Sequence, residues 1–132
     1  MTDLELVKLA IKARELSYSP YSHFAVGAAV LCKDGSTYLG ANVENAVYSL
    51  TVCAERNAIF HAMMEGKKKE DFVALAVVCD TKRPGSPCGS CRQVISELMP
   101  KDTRIVLGNL KCDMKVTSID ELLPYAFTKE DL

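Results

Sequence analysis

Phe72-Val73-Ala74-Leu75-Ala76-Val77-Val78-Cys79-Asp80 is the most hydrophobic stretch of the chain, and its reading organises everything around it. A short apolar run rich in valine, bounded by polar residues, reads as a buried strand, here the central one of a sheet. Helical patterns lie on either side. Before the strand, Cys53 to Glu65 carries Ala54, Ala58, Ile59 and Ala62 at favourable spacing, with Gly66 as a stop signal. After it, a loop from Thr81 to Pro87 leads into a second helical stretch, Cys88 to Met99, which Pro100 ends.

The rest of the chain extends this core. Thr2 to Glu5 is a T-x-x-E capping box. Leu6, Leu9, Ala10, Ala13 and Leu16 then predict a helix to about Ser17. Ser19 to Ser22 is a loop. Ala25 to Cys32 reads as a buried strand, Lys33-Asp34-Gly35-Ser36 as a hairpin turn, and Thr37 to Ala41 as its antiparallel return. A polar loop covers Asn42 to Thr51. Strands are predicted at Arg104 to Gly108 and Met114 to Thr117. A second capping box, Ser118 to Glu121, starts a short helix ending at Pro124. The order α-β-β-α-β-α-β-β-α gives an α/β protein, a three-layer α/β/α arrangement on a mixed five-stranded sheet.

A chain of 132 residues with 48% apolar content is expected to form one domain over residues 1–132. The net charge of -1 offers no footprint for a nucleic-acid backbone. The one basic run, Lys67-Lys68-Lys69, is followed at once by Glu70-Asp71 and reads as a solvated helix end. There is no signal-like N-terminal segment and no apolar run that would span a bilayer, so a cytoplasmic location without membrane contact is expected. Thiols stay reduced there, so the six cysteines need individual accounts. Cys32 and Cys79 sit in strand-like runs and read as small buried hydrophobes. Cys112 lies in a turn and suggests no role. Cys53, Cys88 and Cys91 remain.

These three fall in Val52-Cys53-Ala54-Glu55-Arg56 and Ser86-Pro87-Cys88-Gly89-Ser90-Cys91-Arg92-Gln93. Both motifs lie where a loop enters a helix, where partial positive charge and free N–H groups stabilise thiolates. If the two helices pack side by side, their first turns meet and can share one metal. Three thiolates leave the fourth position of a tetrahedral zinc open for water, the mark of a catalytic site. Glu55, at an angle of about 200° from Cys53 on an ideal helix, cannot easily bind the same metal but can reach that water. Arg56 and Arg92 are candidates to offset the thiolate charge, with surface salt bridges as the plainer reading of each. Other readings of C-x-x-C are a redox dithiol or half of a structural zinc site. The latter wants a fourth ligand. His61 lies about 12 Å along the helix from Cys53, too far to share a metal, and His23 reads as a loop residue. Asn42 and Glu44, two apart, share a face of any extended segment and can grip vicinal hydroxyls, although an ordinary loop role fits as well. Phe24 and Phe127, taken alone, read as core.

Together these motifs resemble the small homotetrameric zinc-dependent cytidine deaminases. The resemblance runs from about Ser19 to Phe127 and includes Ser19-Pro20-Tyr21-Ser22, Phe24, Val26-Gly27-Ala28-Ala29, Asn42-Val43-Glu44-Asn45-Ala46, the two cysteine motifs, and Leu122-Leu123-Pro124 with Phe127. It implies one zinc per chain on Cys53, Cys88 and Cys91, with Glu55 shuttling protons in the hydrolysis of cytidine and deoxycytidine to uridine and deoxyuridine, a step of pyrimidine salvage. It implies that Asn42 and Glu44 bind the ribose hydroxyls and that Phe24 packs on the pyrimidine. The Ala54 N–H would bind the base carbonyl, and the Ser86 carbonyl the leaving amine. Phe127 and Tyr48 would act across subunit interfaces of a homotetramer with shared active sites, Phe127 by stacking from a neighbouring subunit. Asn57 stands where the family often has threonine, and Thr128-Lys129 where it often has Gly-Pro. The rivals are a deaminase of another small substrate such as blasticidin, a polynucleotide-editing deaminase, and a non-catalytic zinc or dithiol module. The Asn42-x-Glu44-Asn45 run favours a nucleoside, and the charge argues against a polynucleotide.

Overall fold

A computed structural model describes residues 1–132. Its elements are α1 (Asp3–Arg14), β1 (Val26–Cys32), β2 (Thr37–Ala41), α2 (Ala54–Met64), β3 (Phe72–Cys79), α3 (Gly89–Leu98), β4 (Arg104–Asn109), β5 (Met114–Thr117) and α4 (Ile119–Leu122). The five strands form one sheet in the order β2-β1-β3-β4-β5, with β3 in the middle. Only β3 and β4 run parallel, with Ala76 opposite Val106; the other pairs are antiparallel, so the sheet is mixed as expected.

Side chains of the apolar strands alternate between two cores. Leu75 and Val77 of β3, with Ala28 and Val30 of β1, pack beneath α2 and α3. Ala74, Ala76 and Val78, with Ala29 and Leu31, pack beneath α1. Helices therefore cover both faces, which is why β3 shows no hydrophobic alternation in sequence. Two glycines set how closely the helices approach. A Cβ on Gly27 would lie 2.0 Å from the Ala10 carbonyl oxygen of α1, and one on Gly40 would lie 2.3 Å from the Ala58 nitrogen of α2. Ala54, Ala58 and Ala62 give α2 a small-residue face to match.

The capping box on α1 forms as predicted. The Thr2 hydroxyl accepts from the Glu5 N–H at 3.1 Å, and the Glu5 carboxylate accepts from the Thr2 N–H at 3.0 Å. The helix stops at Arg14 rather than near Ser17, because the chain is drawn off towards Asn42: the Tyr18 N–H donates to the Asn42 carbonyl at 3.0 Å, and the Ser17 hydroxyl reaches the same oxygen at 3.2 Å. The second predicted box is only half made. The Ser118 hydroxyl accepts from the Glu121 N–H, but the Glu121 carboxylate meets that hydroxyl instead of the Ser118 backbone. The predicted loop from Asn42 to Thr51 contains a 3-10 turn at Tyr48–Leu50, and Val43 bridges Tyr18 on one side and Val52 on the other.

Candidate active site

Cys53 and Cys88 are the N-cap residues of α2 and α3 rather than their first helical residues, and neither makes a side-chain capping bond. Cys53 has extended backbone angles, φ -72° and ψ 157°. The angle between Cys53 and Glu55 is therefore not set by helical rotation, and the expected 200° does not apply. Cys91 lies in the first turn of α3 and is fully buried. The two helices bring the three sulfurs within 4.8 Å of one another, with Cys53 and Cys88 3.7 Å apart. Zinc–sulfur bonds of about 2.3 Å at tetrahedral angles would hold sulfurs about 3.8 Å apart, so the thiol set fits zinc. Neither histidine joins it. The His61 ring lies near the Leu39 carbonyl and packs edge-on against Tyr38, and His23 sits in the loop with φ 55°.

The charges around the sulfurs follow from this crowding. Hydrogen bonding from Cys91, then from Arg56 and Cys88, pulls Cys53 down to about 5 despite burial. The same sharing, with burial, pushes the Cys91 thiol up. Arg56 donates to the Cys53 sulfur at 3.5 Å, and that bond raises its own pKa. Its Nε is buried without a partner. Arg56 thus stands where charge compensation requires it. Arg92 does not. It contacts no sulfur and makes no ion pair; its guanidinium donates to the Pro87 carbonyl at 2.8 Å, the Ser86 hydroxyl at 2.7 Å and the Leu122 carbonyl at 2.6 Å. Both sequence readings of Arg92 are corrected by this fork-like use of donors that face three separate oxygens.

Glu55 occupies the first turn of α2 and is only 3% exposed, which excludes the ordinary surface glutamate. Burial pushes it up to about 7, helped by the neighbouring Cys53 and opposed by its own backbone N–H. A carboxyl group near neutrality can both take and give a proton.

A cavity of about 280 Å³ opens over these groups. Cys53, Ala54, Glu55 and Cys88 line it, with Phe24 and Val26, Asn42 and Glu44, and Ser22, Thr51 and Ser86. Ala54 is the first residue of α2, so its N–H has no intrahelical acceptor. Val77 and Cys79 also line the cavity, so Cys79 is a site wall as well as the buried hydrophobe expected. Their one sequence signal is position at the carboxyl end of a central strand, where ligand crevices of such sheets lie. An adjoining hollow of about 440 Å³ is lined by Tyr21, Ser22, Glu44, Tyr48 and Thr51. Tyr21 and Tyr48 meet edge-on there, with ring centroids 6.1 Å apart.

Asn42 and Glu44 face this space together but are also engaged locally. The Asn42 side-chain Oδ1 accepts from the Val26 N–H and the Ser17 hydroxyl, and its Nδ2 donates to the Phe24 carbonyl at 2.9 Å. One amide hydrogen is left over. Glu44 accepts from the N–H groups of Tyr21 and Ser22 and from the Ser22 hydroxyl, which holds its carboxyl below the usual range. The pair therefore fixes the Tyr21–Phe24 loop. Asn57 donates to the Ala41 carbonyl at 2.8 Å, tying α2 to the end of β2. Phe127 lines neither hollow; it is 60% exposed, beyond α4.

Over residues 1–108 the chain matches the family described as the cytidine and deoxycytidylate deaminase zinc-binding region. A cytidine deaminase from Halalkalibacterium halodurans is 60% identical, with 96% of this chain and 95% of that protein aligned. The crystal structure of a cytidine deaminase from Burkholderia pseudomallei superposes with a TM-score of 0.93 at 49% identity, covering 96% of this chain and all of that one. A blasticidin-S deaminase from Bacillus cereus is 34% identical, over 96% of this chain and 93% of its own.

Proposed function

The chain belongs to the cytidine deaminase family, and we propose that its cavity takes a free pyrimidine nucleoside, with Cys53, Cys88 and Cys91 holding one zinc ion and Glu55 moving the protons. The reaction is the hydrolytic deamination of cytidine to uridine with release of ammonia. Zinc on the three thiolates supplies Lewis acidity that makes a water nucleophilic at neutral pH. Glu55 accepts a proton from the attacking water and delivers it to N3 of the ring as oxygen bonds to C4. It then carries the second proton to the amino group, and the C4–N bond breaks. The observation that carries this reading is a carboxyl group 3% exposed, raised to about 7, in a cavity it shares with Cys53 and Cys88.

The remaining roles are those that the family resemblance implies, and the lining of the cavity supports those of Phe24, Asn42, Glu44, Ala54 and Ser86. The free Ala54 N–H binds the base carbonyl, and the Ser86 carbonyl receives the leaving amine. Phe24 packs on the ring. The spare hydrogen of Asn42 and the ionised Glu44 bind the ribose hydroxyls. Deoxycytidine fits the same contacts with one hydroxyl fewer. The residues lining the two hollows include Glu44 and Glu55 and no lysine or arginine, which disfavours a 5′-phosphate and supports nucleosides over nucleotides. Phe127 and Tyr48, both exposed on a single chain, act across the interfaces of a homotetramer whose sites are shared. The 132 residues work as one domain, in the cytoplasm, without membrane or nucleic-acid partners; no helix is long and apolar enough to cross a membrane. Loss of cytidine absorbance in the ultraviolet, followed across cytidine, deoxycytidine, their 5′-monophosphates and blasticidin S, tests the substrate class. Turnover of both nucleosides alone is expected; faster turnover of a monophosphate or of blasticidin S would overturn the assignment.

A further inference from the structure

Arg92 and Gln93 are adjacent on α3, yet neither serves the cavity directly. Arg92 joins two segments distant in sequence: Ser86 and Pro87, which lead into Cys88, and Leu122 at the end of α4. Gln93 donates from its amide to the Phe127 carbonyl at 2.7 Å. Residues 124–127 make no backbone–backbone hydrogen bond, so Gln93 is the polar tether of the segment that carries the exposed Phe127. The N-cap and opening residues of α3 therefore carry Cys88 and Cys91 and also grip the chain at Leu122 and Phe127.

We infer that α3 is a common mount, with Arg92 and Gln93 as positioning residues that couple the zinc-binding turn of one subunit to the aromatic arm it lends to its neighbour. The inference rests on the shared-site reading above for its kinetic consequence, but not for the coupling itself. Cys88 and Cys91 lie at the start of the helix from which both tethers project, with Gln93 five residues, about one and a half turns, beyond Cys88. Order imposed on that turn by the thiolates passes to the Ser86–Pro87 turn and to the arm through four hydrogen bonds.

Hydrogen–deuterium exchange on the intact protein, with and without zinc removal by a chelator, reads the coupling directly. Exchange should rise both in 86–93 and at the hydrogen-bonded Leu122 and Leu123 amides that lead into the arm, while β3 stays protected. A rise in 86–93 with those two amides unchanged would overturn the inference. Kinetics of zinc-loaded Gln93→Met give the second readout, which stands even if chelation unfolds β3. Loss of one hydrogen bond predicts KM for cytidine up by roughly 2- to 10-fold, with kcat and zinc content held. Arg92→Lys, which keeps the charge but loses the fork, should raise KM further and lower kcat through the Ser86–Pro87 turn. An unchanged KM in Gln93→Met would overturn the role of Gln93. Phe127→Ala separates the two ideas: normal KM there would remove the shared site, while the exchange result would still decide the coupling.

Discussion

Helix α1 and the pair α2 and α3 begin in opposite ways. The start of α1 is closed: the Thr2 hydroxyl and the Glu5 carboxylate satisfy each other's backbone N–H groups, and Glu5 is held below the usual carboxylate range by doing so. The starts of α2 and α3 are open. Cysteines occupy both N-cap positions, neither makes a capping bond, and the free N–H groups and partial positive charge face thiols instead. A serine or aspartate there would bring about 1 kcal/mol of helix stability. The protein forgoes it at α2 and α3 and keeps it at α1 and, through Ser118, at α4. The helix starts left uncapped by their own side chains are thus the two that bring the thiols together.

Substitutions at the two kinds of helix start should therefore separate function from stability. The largest effect is expected at Glu55. Glu55→Ala should keep its zinc and lose well over the ~10²–10⁴-fold of a single general acid–base step, since the same carboxylate serves two transfers; near-normal turnover would exclude it. Phe127→Ala should raise KM by roughly 10- to 100-fold, corresponding to about 1.5–3 kcal/mol of lost aromatic burial, with zinc retained. Light scattering checks the tetramer, and an active monomer would remove the shared site. Arg56→Ala should cost less than Glu55→Ala. Without the cation the thiolate charge is uncompensated, the attacking water is less acidic, and the acid limb of the pH–rate profile should move to higher pH. No shift would leave Arg56 a bystander. The smallest effect belongs to the closed end: Thr2→Ala should lower stability by about 1 kcal/mol and leave kcat, KM and zinc content unchanged. A loss of activity there would break the contrast.

The elements were legible because their signals are local. Val, Ala and Leu between polar residues defined β3, Gly66 and Pro100 bounded the helices, and β2 and β5 fell at Thr37–Ala41 and Met114–Thr117 as read. The metal set was legible because its three cysteines fall in two short motifs, each where a loop enters a helix. What the sequence hid was wiring between distant segments. Asn42 shows a sugar-binding spacing, but nothing in the chain says that it also closes on Ser17, Phe24 and Val26. Arg92 beside a cysteine looked like a charge partner, and only the approach of Leu122 and Ser86 reveals its three carbonyl and hydroxyl acceptors. Val77 and Cys79 became cavity walls through strand order, which no residue of theirs encodes alone. Tyr48 and Phe127 are exposed on one chain, and the interface roles proposed for them depend on assembly.

The proposed chemistry requires an open coordination position beside Glu55. X-ray absorption at the zinc edge, together with metal analysis of the purified protein, reads that position. About one zinc per chain is expected, with three sulfur ligands at ~2.3 Å and one oxygen at ~2.0–2.2 Å, and with the sulfur count falling or the metal lost in each of Cys53→Ala, Cys88→Ala and Cys91→Ala. Four sulfur ligands, or three with a histidine nitrogen in place of the oxygen, would close the site and contradict it.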